Sequence, residues 1–310
     1  MSNREIVCAD LNRAIDDLRR DGFRLDVIYP ADDPHAALLS RGGETVRVAL
    51  PDAPPLSGEL PAFVPAFVLT RAGDAPGEGR AGMLYRDLIP GRLGGRYIAS
   101  HITIPAGGPV ADWVHHHGVA LQLIFVRRGW VRVVYQDQGE PFVMNAGDLV
   151  LQPPGIRHRV LESSAGLEVI EVSAPALHET FADHDLVLPN EGQSGLTYGG
   201  QPFLRRVAAE TAWTGYGGGE AQETALGEAT NGLAEARILR PARAGQIALA
   251  PHDGELVFGF VVQGSASLDG VGLHAGDSFT VPPDRPWTLA DMSADFRLLH
   301  VSTGRLGAAA

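Results

Sequence analysis

Cysteine is nearly absent from this chain: Cys8 is the single one among 310 residues. An intrachain disulfide is thereby excluded, and so are zinc and iron-sulfur sites built on several thiolates. Any metal must be held by histidine, carboxylate or amide. Long apolar runs are also missing, since none approaches the ~20 residues that a membrane-spanning helix needs. The first twenty residues carry Arg4, Glu5, Asp10, Arg13, Asp16, Asp17, Arg19 and Arg20 without a continuous apolar core. They do not read as a secretory signal, and the cytoplasm is the expected address. Basic residues are in deficit, 25 against 37 acidic ones, for a net charge of −12. That balance repels a phosphate backbone, so neither nucleic acid nor a membrane is an expected partner.

Several catalytic signatures are lacking as well. There is no Gly-x-Ser-x-Gly, and the glycines after Gly215 are not followed by the Lys-Ser/Thr of a nucleotide loop. They read as a flexible connector. His178-Glu179 begins like a zinc-protease helix, but Ala182 stands where the second histidine is required. Cys8 has no histidine near it in sequence, which leaves covalent catalysis without support.

What is present is an ordinary folding composition, 45% apolar and 20% charged, on a chain long enough for two domains. Its 38 glycines and 22 prolines punctuate short apolar stretches, the pattern of many short strands. One helix is expected near the start: Asp10 as N-cap, an apolar face of Leu11, Ala14, Ile15 and Leu18, and Gly22 just past the end. Strand-like runs follow at Phe23 to Tyr29 and Thr45 to Leu50, then a Pro/Gly-rich stretch holding the apolar cluster Phe63 to Leu69. Residues 1–76 read as an N-terminal arm contributing a helix and strands.

From Tyr97 to Ser173 short strands succeed one another without helices between them, indicating an antiparallel sandwich or barrel over residues 77–190. After a glycine-rich stretch the strand rhythm returns, so residues 191–310 form a second such unit. The two share spelling. Gly147-Asp148 leads to Pro153-Pro154, and Gly276-Asp277 leads to Pro282-Pro283 at the same offset. A duplicated domain accounts for this.

His115 and His117 are separated by one residue, so on a strand both side chains leave the same face and His116 leaves the other. Gln122 opens a strongly apolar run soon after, and His158 follows the turn at Pro153-Pro154-Gly155. Antiparallel pairing can bring these four together, and three imidazoles bind a divalent first-row metal while leaving coordination positions open. Arg96 and His101 precede the motif and are candidates to line the interior. Trp113 and Tyr135 are further candidates, with core packing as the alternative. Arg157 and Arg159 flank His158, but on a strand they face away from it.

The spacing Gly108-x6-His115-x-His117-x4-Gln122-x6-Gly129 resembles the first signature motif of the cupin family. The first gap is usually five residues, and the position of Gln122 is usually Glu. Gly147-x5-Pro153-x-Gly155-x2-His158 is similar to the second motif, although the Asn that often ends it is Glu162 here. The resemblance implies an all-β fold of two antiparallel jelly-roll barrels, a bicupin, with one divalent metal on His115, His117 and His158. Fe(II) is favoured, and Mn, Ni or Zn are alternatives. With Gln122 in place of Glu, the amide is expected to bind weakly or to orient a bound ligand, which is the catalytic role assigned to it. Such three-His sites resemble those of dioxygenases acting on small oxygen-rich or aromatic acids. A metal-assisted isomerase, cyclase or lyase is the alternative within enzymology, and a non-catalytic binding or sensing protein is the alternative outside it. A small-molecule substrate and a homodimer complete the expectation. Aligning the repeats puts Ala250, His252, Val257 and Trp287 where His115, His117, Gln122 and His158 stand, so the second barrel is expected to be structural.

Overall fold

The computed structural model describes residues 3–54, 60–78, 82–242 and 245–307. The helix Leu11–Arg20 starts where Asp10 Oδ1 accepts the Arg13 N–H at 3.0 Å and ends before Gly22, whose φ is +87°. Leu11, Ile15 and Leu18 bury one stripe against an antiparallel meander of Arg24–Tyr29, Ala36–Arg41 and Glu44–Ala49. The middle strand of that meander has no strong strand signal in its sequence, Ala-Ala-Leu-Leu-Ser-Arg. It forms because both neighbours pair with it. Among the described residues no helix is long and apolar enough to cross a membrane.

Among the described residues four larger sheets build the fold, beside a two-stranded one of Thr197–Tyr198 and Gln201–Pro202. The first continues from the meander through Thr180–Ala182, His115–His117, His158–Ser163 and Trp130–Tyr135 to Phe142–Asn145. The second runs Leu204–Arg206, Leu149–Leu151, Leu121–Arg128, Leu167–Ala174, Ile98–Ile104, Leu84–Asp87. The third contains Gly219–Glu223, Ala234–Arg240, Arg297–Thr303, Leu256–Gln263, Ser278–Thr280 and Val68–Thr70, and the fourth Ile247–Leu249, Trp287–Ala290, Ser265–Leu268 and Val271–His274. Sheets one and two enclose the interior of the first unit, sheets three and four that of the second, and sheets two and three pack on each other.

This layering explains why two strands read as unbroken apolar runs. In Leu121–Arg128, Leu121, Leu123 and Phe125 enter the core shared by the two units, while Ile124 and Val126 pack inside the first. In Leu256–Gln263, Leu256, Phe258 and Phe260 enter the shared core while Val257 and Val261 face the second interior. A strand buried on both faces loses its polar alternation. Gln122 is therefore a polar residue on the inward face of such a strand.

The repeated Gly-Asp has a shared structural task. Asp148 closes its own turn through the Asn145 N–H, and its Oδ1 accepts the Ala208 N–H at 2.9 Å. Asp277 does the same with the His274 N–H and the Ala72 N–H, the latter also at 2.9 Å. The preceding glycines, both at positive φ, admit the clasped segment: a Cβ on Gly147 would lie 2.9 Å from Ala208 Cβ, and one on Gly276 2.8 Å from Ala72 Cβ. The clasped strands are exchanged. Val68–Thr70, which precedes the first unit, pairs with Ser278–Thr280 of the second, and Leu204–Arg206, near the start of the second, pairs with Leu149–Leu151 of the first.

The glycine-rich run after Gly215 is not a flexible connector. Gly217 and Gly218, both at positive φ, form the turn of a hairpin between Thr214–Tyr216 and Gly219–Glu223. Two consecutive residues with φ above zero are what a tight hairpin turn demands.

Candidate metal centre

His115 and His117 leave one face of the strand His115–His117, and His158 on the neighbouring strand lies in direct register with His115. One ring nitrogen from each of the three lies within 4.8 Å of the other two. His116 leaves the opposite face and stacks on Phe181 at 4.9 Å. Burial, reinforced by Arg157, holds its pKa down at about 4.

The rings are oriented from behind. His115 Nδ1 donates to the Trp113 carbonyl at 2.7 Å, and His158 Nδ1 donates to the Ile156 carbonyl at 3.1 Å. A carbonyl can only accept, so Nδ1 carries the proton in both rings and Nε2 is the atom that can ligate. His117 Nδ1 lies 3.1 Å from Thr180 Oγ1. Engaging Nδ1 to fix the tautomer and the ring plane is the usual support for metal-binding imidazoles. The three residues fit a divalent ion: neutral nitrogen donors, converging, and each braced.

These rings form one end of a cavity of about 90 Å³ between the first two sheets. Gln122, Gln152, Tyr135, Tyr85 and Glu171 also line it, and the remaining wall is aliphatic or thioether, including Met83, Ile102, Val131, Met144 and Val169. Gln122 is buried and its Nε2 donates to Glu171 Oε1 at 3.0 Å, an oxygen that also accepts from Ser173 Oγ at 3.1 Å. With its NH2 committed to the carboxylate, the amide turns its carbonyl oxygen the other way. Gln152 Nε2 lies 2.9 Å from His158 Nε2 and donates to its lone pair, the one a bound ion would take in place of that hydrogen bond. Tyr135 stacks on His158 with centroids 5.6 Å apart. Burial, and then the charge of Glu171, raise its pKa.

Of the other residues singled out in the sequence, only Tyr135 reaches this cavity. His101 alternates with Ile102 and so leaves the far face of its strand, where it meets Phe260 of the second unit and its Nε2 donates to Glu168 Oε2 at 3.0 Å. Burial, followed by Arg86, lowers its pKa to about 4. Arg96 lies beyond the end of the same strand and pairs with buried Glu255 at 2.8 Å. Trp113 holds His115 through its carbonyl, but its ring packs with the N-terminal helix and meander and lines a groove there. Arg157 is bound to Asp183 at 3.0 Å.

Three neighbours of the site were not singled out by sequence. Glu171 carried a signal, as an acidic residue on the same face as Leu167 and Val169 in the strand Leu167–Ala174. Gln152, just before the Pro-Pro turn, carried a weaker one. Thr180 carried none, because its strand pairs with His115–His117 across more than sixty residues of intervening chain.

In the second unit the corresponding interior is filled. A Cβ on Gly259 would meet the Phe279 ring at 2.3 Å, and Trp287 stacks on His300 and meets Phe279 edge-on. His252 Nε2 donates to the Val281 carbonyl. The strand register places His300 where Glu171 stands in the first unit, opposite Gly259 and Ile124 respectively.

A family model described as a cupin domain matches residues 100–173. No curated protein matches the chain. Solved structures do: a variant of Bacillus subtilis oxalate decarboxylase aligns over 81% of this chain and 80% of its own, with a TM-score of 0.58 at 13% identity. Lactobacillus farciminis oxalate decarboxylase in complex with formate aligns over 81% and 89%, with a TM-score of 0.58 at 15% identity. A further Bacillus subtilis oxalate decarboxylase structure, concerned with its Mn(II) centres, aligns over 81% and 80% with a TM-score of 0.57 at 12% identity. At such identities the likeness speaks for the fold, which extends over both units and agrees with the motif match in the first. Residues 100–173 thus match a cupin domain, and the chain as a whole has a bicupin fold.

Proposed function

We propose that this bicupin is a metal-dependent enzyme whose single active site lies in the first unit, and that it is an oxidoreductase of the dioxygenase kind acting on a small molecule. The observation that carries the reading is the braced triad of His115, His117 and His158 opening into a largely apolar cavity. A divalent ion there, with Fe(II) favoured, would supply a Lewis acid and a one-electron couple at neutral pH. The residues of the chain do the rest. The carbonyl oxygen of Gln122, fixed by Glu171, orients the bound molecule, and Gln152 is a hydrogen-bond donor beside His158. Tyr135, its pKa raised, keeps its proton and presents a neutral hydroxyl. The aliphatic wall excludes water from the reacting atoms.

A second reading, a metal-assisted lyase using Mn(II), is favoured by one observation: the structural neighbours are oxalate decarboxylases, one studied for its Mn(II) centres. Metal analysis of anaerobically purified protein separates the two, beside the His115→Ala and His158→Ala variants. About one iron per chain, lost in both variants, with oxygen uptake on a bound substrate supports the oxygenase. Manganese with turnover but no oxygen uptake supports the lyase. No metal under any loading condition refutes both.

A further inference from the structure

The charge of the cavity narrows what it can hold, taking the proposed metal site as given. Among the described residues lining it there is no cation. The chain has no lysine at all, so its 25 basic residues are all arginine; Arg159 alternates with His158 to the opposite face of its strand, and other described arginines of the first unit are engaged elsewhere. Arg157 is bound to Asp183, Arg127 to Glu168 and Arg132 to Glu162, while Arg86 donates to the backbone carbonyls of Arg71 and Gly276. The one charged side chain in the wall, the histidines apart, is Glu171.

Three neutral imidazoles leave a divalent ion its full charge of two, and the Glu171 carboxylate reduces the site to a net charge of one. A ligand with a single negative charge closes that balance. A ligand with two leaves one charge uncompensated against an aliphatic wall, where burying an unpaired charge is severely unfavourable. Glu171 also accepts hydrogen bonds, and its oxygens suit a donor on the ligand. The volume of about 90 Å³ is below the ~150 Å³ of an apolar cavity that takes up benzene, so the occupant is small or enters by one end.

We infer that the site accepts a small, mainly apolar molecule bearing at most one negative charge and at least one hydroxyl, thiol or amine donor for Glu171, and that it discriminates against dicarboxylates. Glu171 is then the specificity-determining residue, acting by charge and by acceptance of that hydrogen bond.

The test compares 2-hydroxyisobutyrate, a monoanion with two methyl groups and a hydroxyl, with malonate, a dianion of similar size. Calorimetric affinities of both are measured on wild type and on the isosteric Glu171→Gln variant, each loaded with Mn(II) and each metal-free. We expect the ratio of the two affinities to move by at least tenfold toward malonate in Glu171→Gln. The same ratio in both proteins overturns the inference. Metal content is measured on the same samples and tests the metal reading separately. In metal-free protein the carboxylate remains, so the shift in ratio is expected there too. If Glu171→Gln fails to fold, wild type alone decides: metal-free wild type that binds malonate as well as the hydroxy acid overturns the inference, and preference for the hydroxy acid upholds it.

Discussion

Of the three groups that brace the histidines, two are backbone carbonyls and one is a side chain. Thr180 Oγ1 is thus the brace that substitution can remove. Thr180→Val keeps the volume and the branched shape at a position 1% exposed and deletes the contact to His117 Nδ1 at 3.1 Å. Loss of such an outer partner lowers metal affinity by about 10–100-fold, which is about 1.4–2.7 kcal/mol. That range matches the ~1–3 kcal/mol attached to depriving a buried polar group of its partner. The assay is competition for Zn(II) or Mn(II) against a chromophoric chelator, with Thr180→Ser as the conservative control and with thermal unfolding of the metal-free proteins as a check on the fold. We expect Thr180→Ser within about threefold of wild type and Thr180→Val at least about tenfold weaker. Equal affinities for Thr180→Val and wild type, with unfolding unchanged, would refute Thr180 as a brace of His117 in the metal site.

Three further outcomes are expected. Gly259→Ala places a methyl 2.3 Å from the Phe279 ring and should cost about 1–3 kcal/mol; Phe279→Leu should cost less on that background than on wild type, and additive effects would argue against the clash. Arg96→Ala strands buried Glu255 and should cost about 3–5 kcal/mol while leaving metal content unchanged; a loss of ligand affinity with no loss of stability would return Arg96 to the site. His300 is held at about 3 by burial, then by Arg237 and His252, below the ~6.5 of an unfolded chain. The unfolded state therefore binds a proton that the folded state refuses as pH falls through 6.5. Stability present above 6.5 is withdrawn toward pH 3 by up to about 1.4 kcal/mol per pH unit, and urea unfolding of His300→Phe should show a flatter acid limb. An identical slope would contradict the burial of a neutral His300.

Much of the strand order was legible because turns in this fold are written in glycine and because the strands between the units are apolar on both faces. The triad was legible for a local reason, since His115 and His117 share a face by alternation alone. The same alternation decides against His101: its neighbour Ile102 lines the cavity, so His101 cannot, but which of the two faces inward is fixed only by packing of the second unit on the first. Thr180 was illegible because its relation to His117 is a long-range pairing. Ala36–Arg41 was illegible because its pairing overrides a weak propensity. The hairpin at Gly217-Gly218 shows the opposite error, a turn signal misjudged as slack chain.

The exchanged strands bear on how the molecule can be taken apart. Each repeat wears the other's edge strand, the arrangement of two identical protomers that have swapped an element about a two-fold axis. The chain is in this sense a tethered dimer, in which the covalent link replaces a concentration-dependent encounter. Cutting it into halves before Leu204 separates both clasps from the sheets they complete, and exposes the edges of Leu149–Leu151 and Ser278–Thr280 to pairing with other chains; a cut after Arg206 still exposes the latter. The filled second unit is then more than the remnant of a duplication. It supplies the surface on which the second sheet, a wall of the candidate metal cavity, is buried and the partner with which that sheet trades an edge.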